Sequence, residues 1–350
     1  MWEAIQDGTE RRVAIKLLPL SSTTSTEQLR HARELRLLAA MSHPGVVGVY
    51  GAEDAGGQSC IIMELVEGSP ITDHANALHL SIEDRVRLML QACDAIHAIH
   101  QKGVIHRDIK PEHLVVDHEG RVRLIDFGLA ILAGAIDAHD HRVTRTGGFV
   151  GTTAWASPEQ VAGHADAIDV RSDVYALGLV LCVLLCGQMP YEVDVPPARL
   201  VQSITEAEPM PPSELGGVVD RDLDTVVLKS LHKSPDRRYA DVGELRDDLS
   251  RWLRGDPIAA RRDSRSYVLA KTAKKHKIPV AAAVLALVAG IGFGIFGTLG
   301  LQDAKREVVA ERLAREGVQS QLVQSELERA ALVSRLAQLQ ERLVRPTGWM

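Results

Sequence analysis

The chain has 350 residues, of which 45% are hydrophobic and 25% are charged, and its formal net charge is −6. These proportions are typical of a folded protein with room for one large domain and appendages. The negative charge argues against a nucleic-acid-binding protein, so no nucleic-acid partner is expected. The four cysteines show no metal-type spacing, which disfavours a zinc site or a disulfide framework. The first twelve residues have no apolar core, so no signal peptide is expected there.

The first part of the chain is predicted to be rich in strands. Short apolar runs between turn signals predict strands at 11–18 and 59–67, and periodic leucines predict a helix at 26–41. Helical patterns dominate later, at 82–102, 172–187, 222–232 and 241–254. A strand-rich part followed by a larger helical part indicates an α+β fold. We expect one unit over residues 1–256, with a small lobe at 1–66 and a larger lobe at 67–256.

Residues 278–301 contain no charged side chain and are numerous enough to cross a bilayer as a helix, although a buried core helix is the alternative. Basic residues fill the preceding stretch 257–277, whereas the charges after the run nearly cancel. The positive-inside rule therefore predicts a single-pass protein of the cytoplasmic membrane, with residues 1–277 in the cytoplasm and 302–350 outside. The stretch 257–277 is expected to be a linker, either against anionic headgroups or merely solvated.

The end of the chain has weak signals for pairing with a second copy. Leucines at 332, 336, 339 and 343 follow the spacing of a coiled coil, but Ser325 and Arg329 break the register upstream. We expect a helical tail over 302–350. Small residues also recur every four positions within 278–301, which would allow close helix approach, although such residues are common in membrane helices anyway. The chain is therefore expected either to form a homodimer or to remain unpaired, and both alternatives stay open.

Two short segments carry the chemistry: His106-Arg107-Asp108-Ile109-Lys110-Pro111-Glu112-His113 and Asp126-Phe127-Gly128. With them the chain resembles the eukaryotic-type, or Hanks-type, Ser/Thr protein kinases, and in particular their bacterial transmembrane branch. The resemblance extends from the first residues to about Trp252, and the order and spacing of its motifs are highly specific. It implies a two-lobed kinase fold, ATP with Mg²⁺ or Mn²⁺ as cofactors, and protein substrates bearing Ser or Thr.

The resemblance assigns roles to residues around the nucleotide. Lys16, in Val13-Ala14-Ile15-Lys16, would pair with the α- and β-phosphates, and Glu34 would hold Lys16 by an ion pair, a solvated helix charge being the alternative for Glu34. The adenine would be bound as follows: backbone groups of Glu64 and Val66 at its edge, and the side chains of Ala14 and Val115 on its faces. Plain core packing is compatible with the last two.

The catalytic roles follow from the same resemblance. Asp108 would accept or orient the proton of the substrate hydroxyl, and Lys110 would steady the transferring phosphate. Asp126 would bind magnesium, as hard oxygen ligands do. A lysine at position 110 resembles Ser/Thr kinases rather than Tyr kinases. A surface salt-bridge role for Asp108 and Asp126 is the alternative.

The segment from Asp126 to Glu159 resembles an activation segment. Thr152 would contact the catalytic residues and help to present substrate. Thr144 and Thr146 resemble a phosphorylated pair, whose phosphates Arg107 could bind bidentately; an unmodified polar loop is the alternative. Two further pairings are implied: Asp173 would brace the catalytic loop, and Arg238 would pair with Glu159.

The sequence departs from the family pattern in two places. The glycine-rich turn that covers the phosphates is missing, either because the start site is mis-assigned, which we favour, or because the chain lacks its first strand. His113 stands where the family has an asparagine that binds the second magnesium, and imidazole suits softer metals than a carbonyl oxygen does. Three hypotheses remain: a Ser/Thr kinase activated by autophosphorylation, a pseudokinase signalling scaffold, and a membrane-tethered structural scaffold. Lys16, Asp108 and Asp126 favour the enzyme.

Overall fold

The computed structural model describes residues 1–17, 41–55, 58–126, 153–262, 264–275 and 277–343. It divides into two compact units, Met1–Lys275 and His276–Met350. The first unit contains two antiparallel sheets and, later in the chain, a set of helices. This order confirms the predicted α+β class. The predicted helix at 26–41 lies almost wholly outside the described residues.

The first sheet has four strands: β1 (Trp2–Gln6), β2 (Arg11–Leu17), β3 (Val49–Ala55) and β4 (Gln58–Glu64). Their order is β1-β2-β4-β3, so β2 lies between two partners and β1 is at an edge. Val13 and Ala14 of β2 and Ile61 of β4 are buried in the core. Near the end of β2, Ile15 is paired with Trp2 of β1 and Ile62 of β4, and the next residue, Lys16, is paired with Ile61 of β4. The strands predicted at 11–18 and 59–67 are confirmed.

The second sheet joins the first part of the unit to the helical part. It consists of β5 (Gly68–Pro70), β6 (Leu114–Asp117) and β7 (Val122–Leu124), in that order. Leu124 donates its N–H to Gly45 O over 2.7 Å and accepts from Val47 N–H over 3.1 Å. These bonds hold the end of β7, and the residues that follow it up to Asp126, beside the segment 45–47 that leads into β3.

The helices of the first unit are α1 (Ile71–Ala77), α2 (Ile82–His100), α3 (Pro158–Val161), α4 (Val170–Cys186), α5 (Pro197–Glu206), α6 (Arg221–Ser230), α7 (Val242–Leu253) and α8 (Arg265–Lys275). Short 3₁₀ turns lie at Pro111–His113, Ala165–Ala167, Pro235–Arg237 and Ala259–Arg261. The helices predicted at 82–102, 172–187, 222–232 and 241–254 are confirmed, with ends that differ by at most two residues.

Helix α4 is the centre of the helical part. Nearly every side chain from Ser172 to Leu185 is buried, which explains why its sequence is apolar on all faces. Asp169 caps the start of the helix by accepting the N–H of Arg171, and Gly187 ends it with a φ of 76°. A left-handed residue at this position favours glycine. Because α4 is held at both ends and on all sides, it can position Asp173 for the site described below.

The stretch predicted as a linker is partly built into the first unit. Asp222 at the start of α6 is buried, and its carboxylate contacts Arg261 (2.5 Å), Lys271 (2.6 Å) and the hydroxyl of Tyr267 (3.0 Å). A buried carboxylate needs such partners, since an unpaired charge in the interior is costly. Residues 258–262 and 264–271 are thus attached to the helical part, a correction to the linker predicted for 257–277.

The second unit is a single long helix, α9 (Lys277–Leu343). Its helical character agrees with the tail predicted from residue 302, and residues 344–350 lie outside the described part. Leu332, Leu336 and Leu339 are each more than half exposed. Within the described residues, no helix meets the length and apolarity required to cross a bilayer. The membrane span predicted at 278–301 is therefore not confirmed.

Candidate active site

The loop between α2 and β6 is held by Asp173, as the sequence predicts. Its Oδ2 accepts the backbone N–H of His106 (2.8 Å) and contacts His100 Nε2 (2.7 Å), and its Oδ1 accepts the backbone N–H of Arg107 (2.9 Å). The Asp173 carboxylate is 1% exposed. Burial opposes its ionisation, but the bonds from His100 and His106 outweigh that effect and lower the pKa of Asp173. The charged Asp173 side chain therefore holds the two backbone N–H groups that directly precede Asp108.

Asp108 lies in the same loop, and its carboxylate is partly exposed. Lys110 Nζ is 3.6 Å from Asp108 Oδ2, and His113 Nδ1 is also 3.6 Å from that oxygen. Burial raises the pKa of Asp108, while the positive charge of Lys110 acts in the opposite direction. The raised pKa makes the Asp108 carboxylate a better proton acceptor than an exposed aspartate.

Asp126 follows β7 and faces the end of β2. Its Oδ2 is 2.9 Å from Lys16 Nζ, and its backbone has a φ of 59°, in the left-handed region. Its Oδ1 is buried and has no hydrogen-bond partner among the described residues. Through His113, which is 3.7 Å from Asp126 and 3.6 Å from Asp108, the two carboxylates and Lys16 form one cluster. The predicted convergence of Lys16, Asp108 and Asp126 is observed.

The sequence model of the family described as "Protein kinase domain" matches residues 1–245. The chain belongs to the protein kinase domain family. It is 38% identical over 256 residues to the serine/threonine-protein kinase PknB of Mycobacterium tuberculosis (strain ATCC 25618 / H37Rv), an alignment that covers 71% of this chain and 40% of PknB. It is 33% identical over 256 residues to the probable serine/threonine-protein kinase SCO3848 of Streptomyces coelicolor, covering 71% and 37% of the two chains. The chain thus spans about two fifths of the length of these relatives.

A divalent cation is implied by the kinase family, and the orphaned Oδ1 of Asp126 fits this role because a buried carboxylate oxygen needs a partner. The described residues contain no group of three or more His, Cys, Asp or Glu side chains that could hold a metal by themselves. This also fits, since Mg²⁺ sites in such enzymes use one or two carboxylates together with phosphates and water. His113 is the other candidate ligand, and burial lowers its pKa to about 4.

His106 is a supporting residue that motif reasoning did not single out. Its Nδ1 lies 3.2 Å from the backbone N–H of Asp108, and its Nε2 lies 3.3 Å from Ile125 O. The first contact requires an acceptor and the second a donor, so the neutral ring carries its hydrogen on Nε2. Burial lowers the pKa of His106 to about 4, which agrees with this form. The ring thereby links the loop of Asp108 to Ile125, which lies between β7 and Asp126.

The four residues predicted to contact the nucleotide lie in or next to the two sheets. Ala14 in β2 and Val115 in β6 are both buried. The backbone N–H of Glu64 donates to Gly48 O over 2.8 Å, and its carboxylate is paired with Arg123 at 2.6 Å. Sequence reasoning did not find Arg123, because alternation along a strand indicates which face a side chain is on but not which residue it pairs with. Val66 is the second residue after β4 and lies between β4 and β5.

The remaining predicted residues divide into two groups. Glu34, Thr144, Thr146 and Thr152 lie outside the described residues. Arg107 is described, and its backbone carbonyl accepts Gln160 Nε2 over 2.7 Å, which ties the catalytic loop to α3. The predicted pair of Glu159 and Arg238 is present as a bidentate contact of 2.7 and 2.8 Å between buried groups.

Proposed function

We propose that this chain is an ATP-dependent protein kinase that transfers the γ-phosphate of ATP to Ser or Thr hydroxyls of proteins. The observation that carries the proposal is the cluster of Lys16, Asp108 and Asp126, with 2.9 Å between Lys16 and Asp126. The names of the relatives point to the same activity. Phosphoryl transfer depends on positioning and electrostatics more than on covalent chemistry, and this cluster offers both.

Each member of the cluster has a separate task in this proposal. Asp108 orients the substrate hydroxyl and accepts its proton, a role that its raised pKa suits. Lys16 binds the phosphates of ATP and Lys110 steadies the group in transfer. Asp126 holds the divalent cation, which neutralises phosphate charge when bound. The kinase chain itself therefore supplies orientation, a proton acceptor and positive charge.

Activation by autophosphorylation at Thr144 or Thr146 is part of the proposal. The support is the sequence Val143-Thr144-Arg145-Thr146 within the segment between Asp126 and Glu159. A phosphate there would add negative charge that Arg107, next to Asp108, could bind. Mass spectrometry of the full chain after incubation with ATP would test this. Phosphate on neither threonine would contradict it.

The activity is tested by incorporation of radiolabelled phosphate from ATP into the full chain and into added protein substrate. Asp108→Asn should reduce labelling by at least about a hundredfold, because loss of general-base catalysis typically costs 10²–10⁴-fold. Asp94→Asn is the matched control, since that carboxylate is 49% exposed and lies on the outer face of α2. Equal labelling in the wild type and Asp108→Asn would overturn the proposal.

The second candidate is a pseudokinase scaffold that signals by conformation. It is favoured by one observation, an imidazole at position 113 where the family has a carbonyl ligand for magnesium. The same assay decides between the two, provided that the wild type is supplied with both Mg²⁺ and Mn²⁺. No labelling with either cation would favour the scaffold.

We also propose that residues 278–301 attach the kinase to the cytoplasmic membrane. Support comes from the absence of charge in this run and from the exposure of its described side chains, including Leu285, Ile291, Phe293 and Phe296, on α9. Cell fractionation with an alkaline carbonate wash would test this against a chain lacking 278–301. Recovery of the full chain in the soluble fraction would contradict it.

Pairing through the leucines of the tail is a further proposal, which crosslinking in membranes would test.

A further inference from the structure

His113 and Asp126 present a nitrogen and an oxygen to the same small space. His113 Nε2 is 3.7 Å from Asp126 Oδ2, and the two side chains are only 9% and 12% exposed. This distance is too long for a hydrogen bond. Lys16 already binds Oδ2 at 2.9 Å, whereas Oδ1 is buried without a partner among the described residues. The Asp126 carboxylate therefore faces the ring through Oδ2 and keeps Oδ1 without a partner among the described residues.

The second contact of His113 decides which ring nitrogen faces Asp126 with a lone pair. His113 Nδ1 is 2.6 Å from the backbone carbonyl oxygen of Asp108. A carbonyl can only accept, so Nδ1 must carry the hydrogen. In the neutral ring, the lone pair is then on Nε2, which is the atom directed at Asp126. This arrangement, a ring N–H bound to a backbone carbonyl and the other nitrogen open, is the one that metal-binding histidines have.

The gap between the two side chains suits one cation. Metal bonds to imidazole nitrogen and carboxylate oxygen are both about 2.0–2.2 Å long, so ligand atoms on one ion lie roughly 3–4 Å apart. The 3.7 Å observed between His113 Nε2 and Asp126 Oδ2 is within that range, and the unpartnered Oδ1 belongs to the same carboxylate. Imidazole is a common ligand of transition metals, whereas Mg²⁺ prefers oxygen ligands and keeps several waters. The donor pair thus discriminates between the two kinds of cation.

We infer that His113 Nε2 and the Asp126 carboxylate form a divalent-cation site that selects imidazole-accepting ions such as Mn²⁺ or Co²⁺ over Mg²⁺. The inference rests on the proposed kinase function, because the nucleotide phosphates and water supply the remaining ligands. In this inference His113 binds the metal directly through Nε2, at the position where the family has the carbonyl oxygen of an asparagine. The kinase is then a manganese- or cobalt-preferring enzyme because of one side chain.

The direct test is pulsed electron paramagnetic resonance of Mn²⁺ bound to the full chain with the non-hydrolysable analogue β,γ-methylene-ATP. Protein is prepared with ordinary histidine and with ¹⁵N-histidine. Coupling of bound Mn²⁺ to a histidine nitrogen, which changes from ¹⁴N to ¹⁵N on labelling, is the expected result. Bound Mn²⁺ without this coupling would overturn the inference. This readout needs no mutation, so it does not depend on the folding of any variant.

Variants then identify the residue. His113→Asn should lose the nitrogen coupling and bind Mn²⁺ and Co²⁺ at least about tenfold more weakly, with little change for Mg²⁺. His118→Asn is the matched control, because that side chain is 80% exposed, and it should retain both coupling and affinity. Coupling that persists in His113→Asn, or an equal loss of affinity for all three cations, would contradict the inference.

The two proposals can fail separately. Phosphate labelling without histidine coupling would remove the metal selectivity and leave the kinase activity standing. Histidine coupling in a chain that labels no substrate would leave the metal site and remove the activity.

Discussion

Asp173 accepts the backbone N–H of Arg107 over a distance of 2.9 Å. Arg107 has a φ of 67°, a left-handed conformation that is costly for residues other than glycine. The buried carboxylate therefore holds the chain in a conformation that it would not adopt alone. Asp108 follows directly, so the direction of its side chain depends on this bond.

Asp173→Asn should lower both phosphate transfer and stability. The amide keeps the shape but loses the charge that binds two backbone N–H groups and His100. Hydrogen bonds to a charged group are worth about 1.5–3 kcal/mol, so we expect a loss of roughly 2–4 kcal/mol in the free energy of unfolding. Urea denaturation and the labelling assay measure the two effects. Asp94→Asn should change neither, and an unchanged Asp173→Asn would refute the bracing role.

Arg238→Met should destabilise the protein strongly. The guanidinium is buried and binds the buried carboxylate of Glu159, which would be left without its charge partner. Breaking such a pair typically costs about 3–5 kcal/mol. Arg87→Met is the control, because the Arg87–Asp84 pair is exposed and should contribute less than about 1 kcal/mol. Urea denaturation of both variants checks this, and similar losses for both would contradict it.

Acidification should destabilise the kinase partly through His106. Its pKa is about 4 in the folded chain and about 6.5 when unfolded, so between these values the unfolded chain binds more protons. Its contribution is complete above pH 6.5 and diminishes as the pH falls toward 4. The slope is roughly 1.4 kcal/mol per pH unit for one such group. Urea denaturation at pH 6 and pH 5 should therefore show a smaller difference for His106→Asn than for the wild type. An equal difference would contradict the assignment.

Asp222→Asn should release the attached segment 258–271. The variant loses the charge that Arg261 and Lys271 share, while the rest of α6 is unchanged. Hydrogen–deuterium exchange of the backbone in 258–271 should become faster by tenfold or more, since each such pair of bonds is worth more than about 1.4 kcal/mol. Asp236→Asn removes an 84%-exposed partner and is the control. Unchanged exchange in Asp222→Asn would show that other contacts hold the segment.

Much of the site could be predicted because its residues belong to short local motifs. Lys16 is at the end of an apolar strand pattern, and Asp108 and Asp126 are in segments whose spacing is specific to one chemistry. The pairs that motif reasoning proposed at long range, Asp173 with the catalytic loop and Glu159 with Arg238, are present. Other partners were not foreseen: Arg123 for Glu64 and His106 between two loops.

The amino-acid sequence by itself predicted the α+β class, the strands at 11–18 and 59–67, the helices at 82–102, 172–187, 222–232 and 241–254, and, through its motifs, the grouping of Lys16, Asp108 and Asp126. Periodicity and motif spacing are local properties, so they can be read along the chain. Only the tertiary structure decided that Asp222 binds Arg261 and Lys271, and that the open nitrogen of His113 faces Asp126. These contacts join segments that are distant in sequence, and their geometry depends on how the sheets and helices pack. Hydrogen bonding then selects one ring nitrogen, a choice that no residue pattern contains.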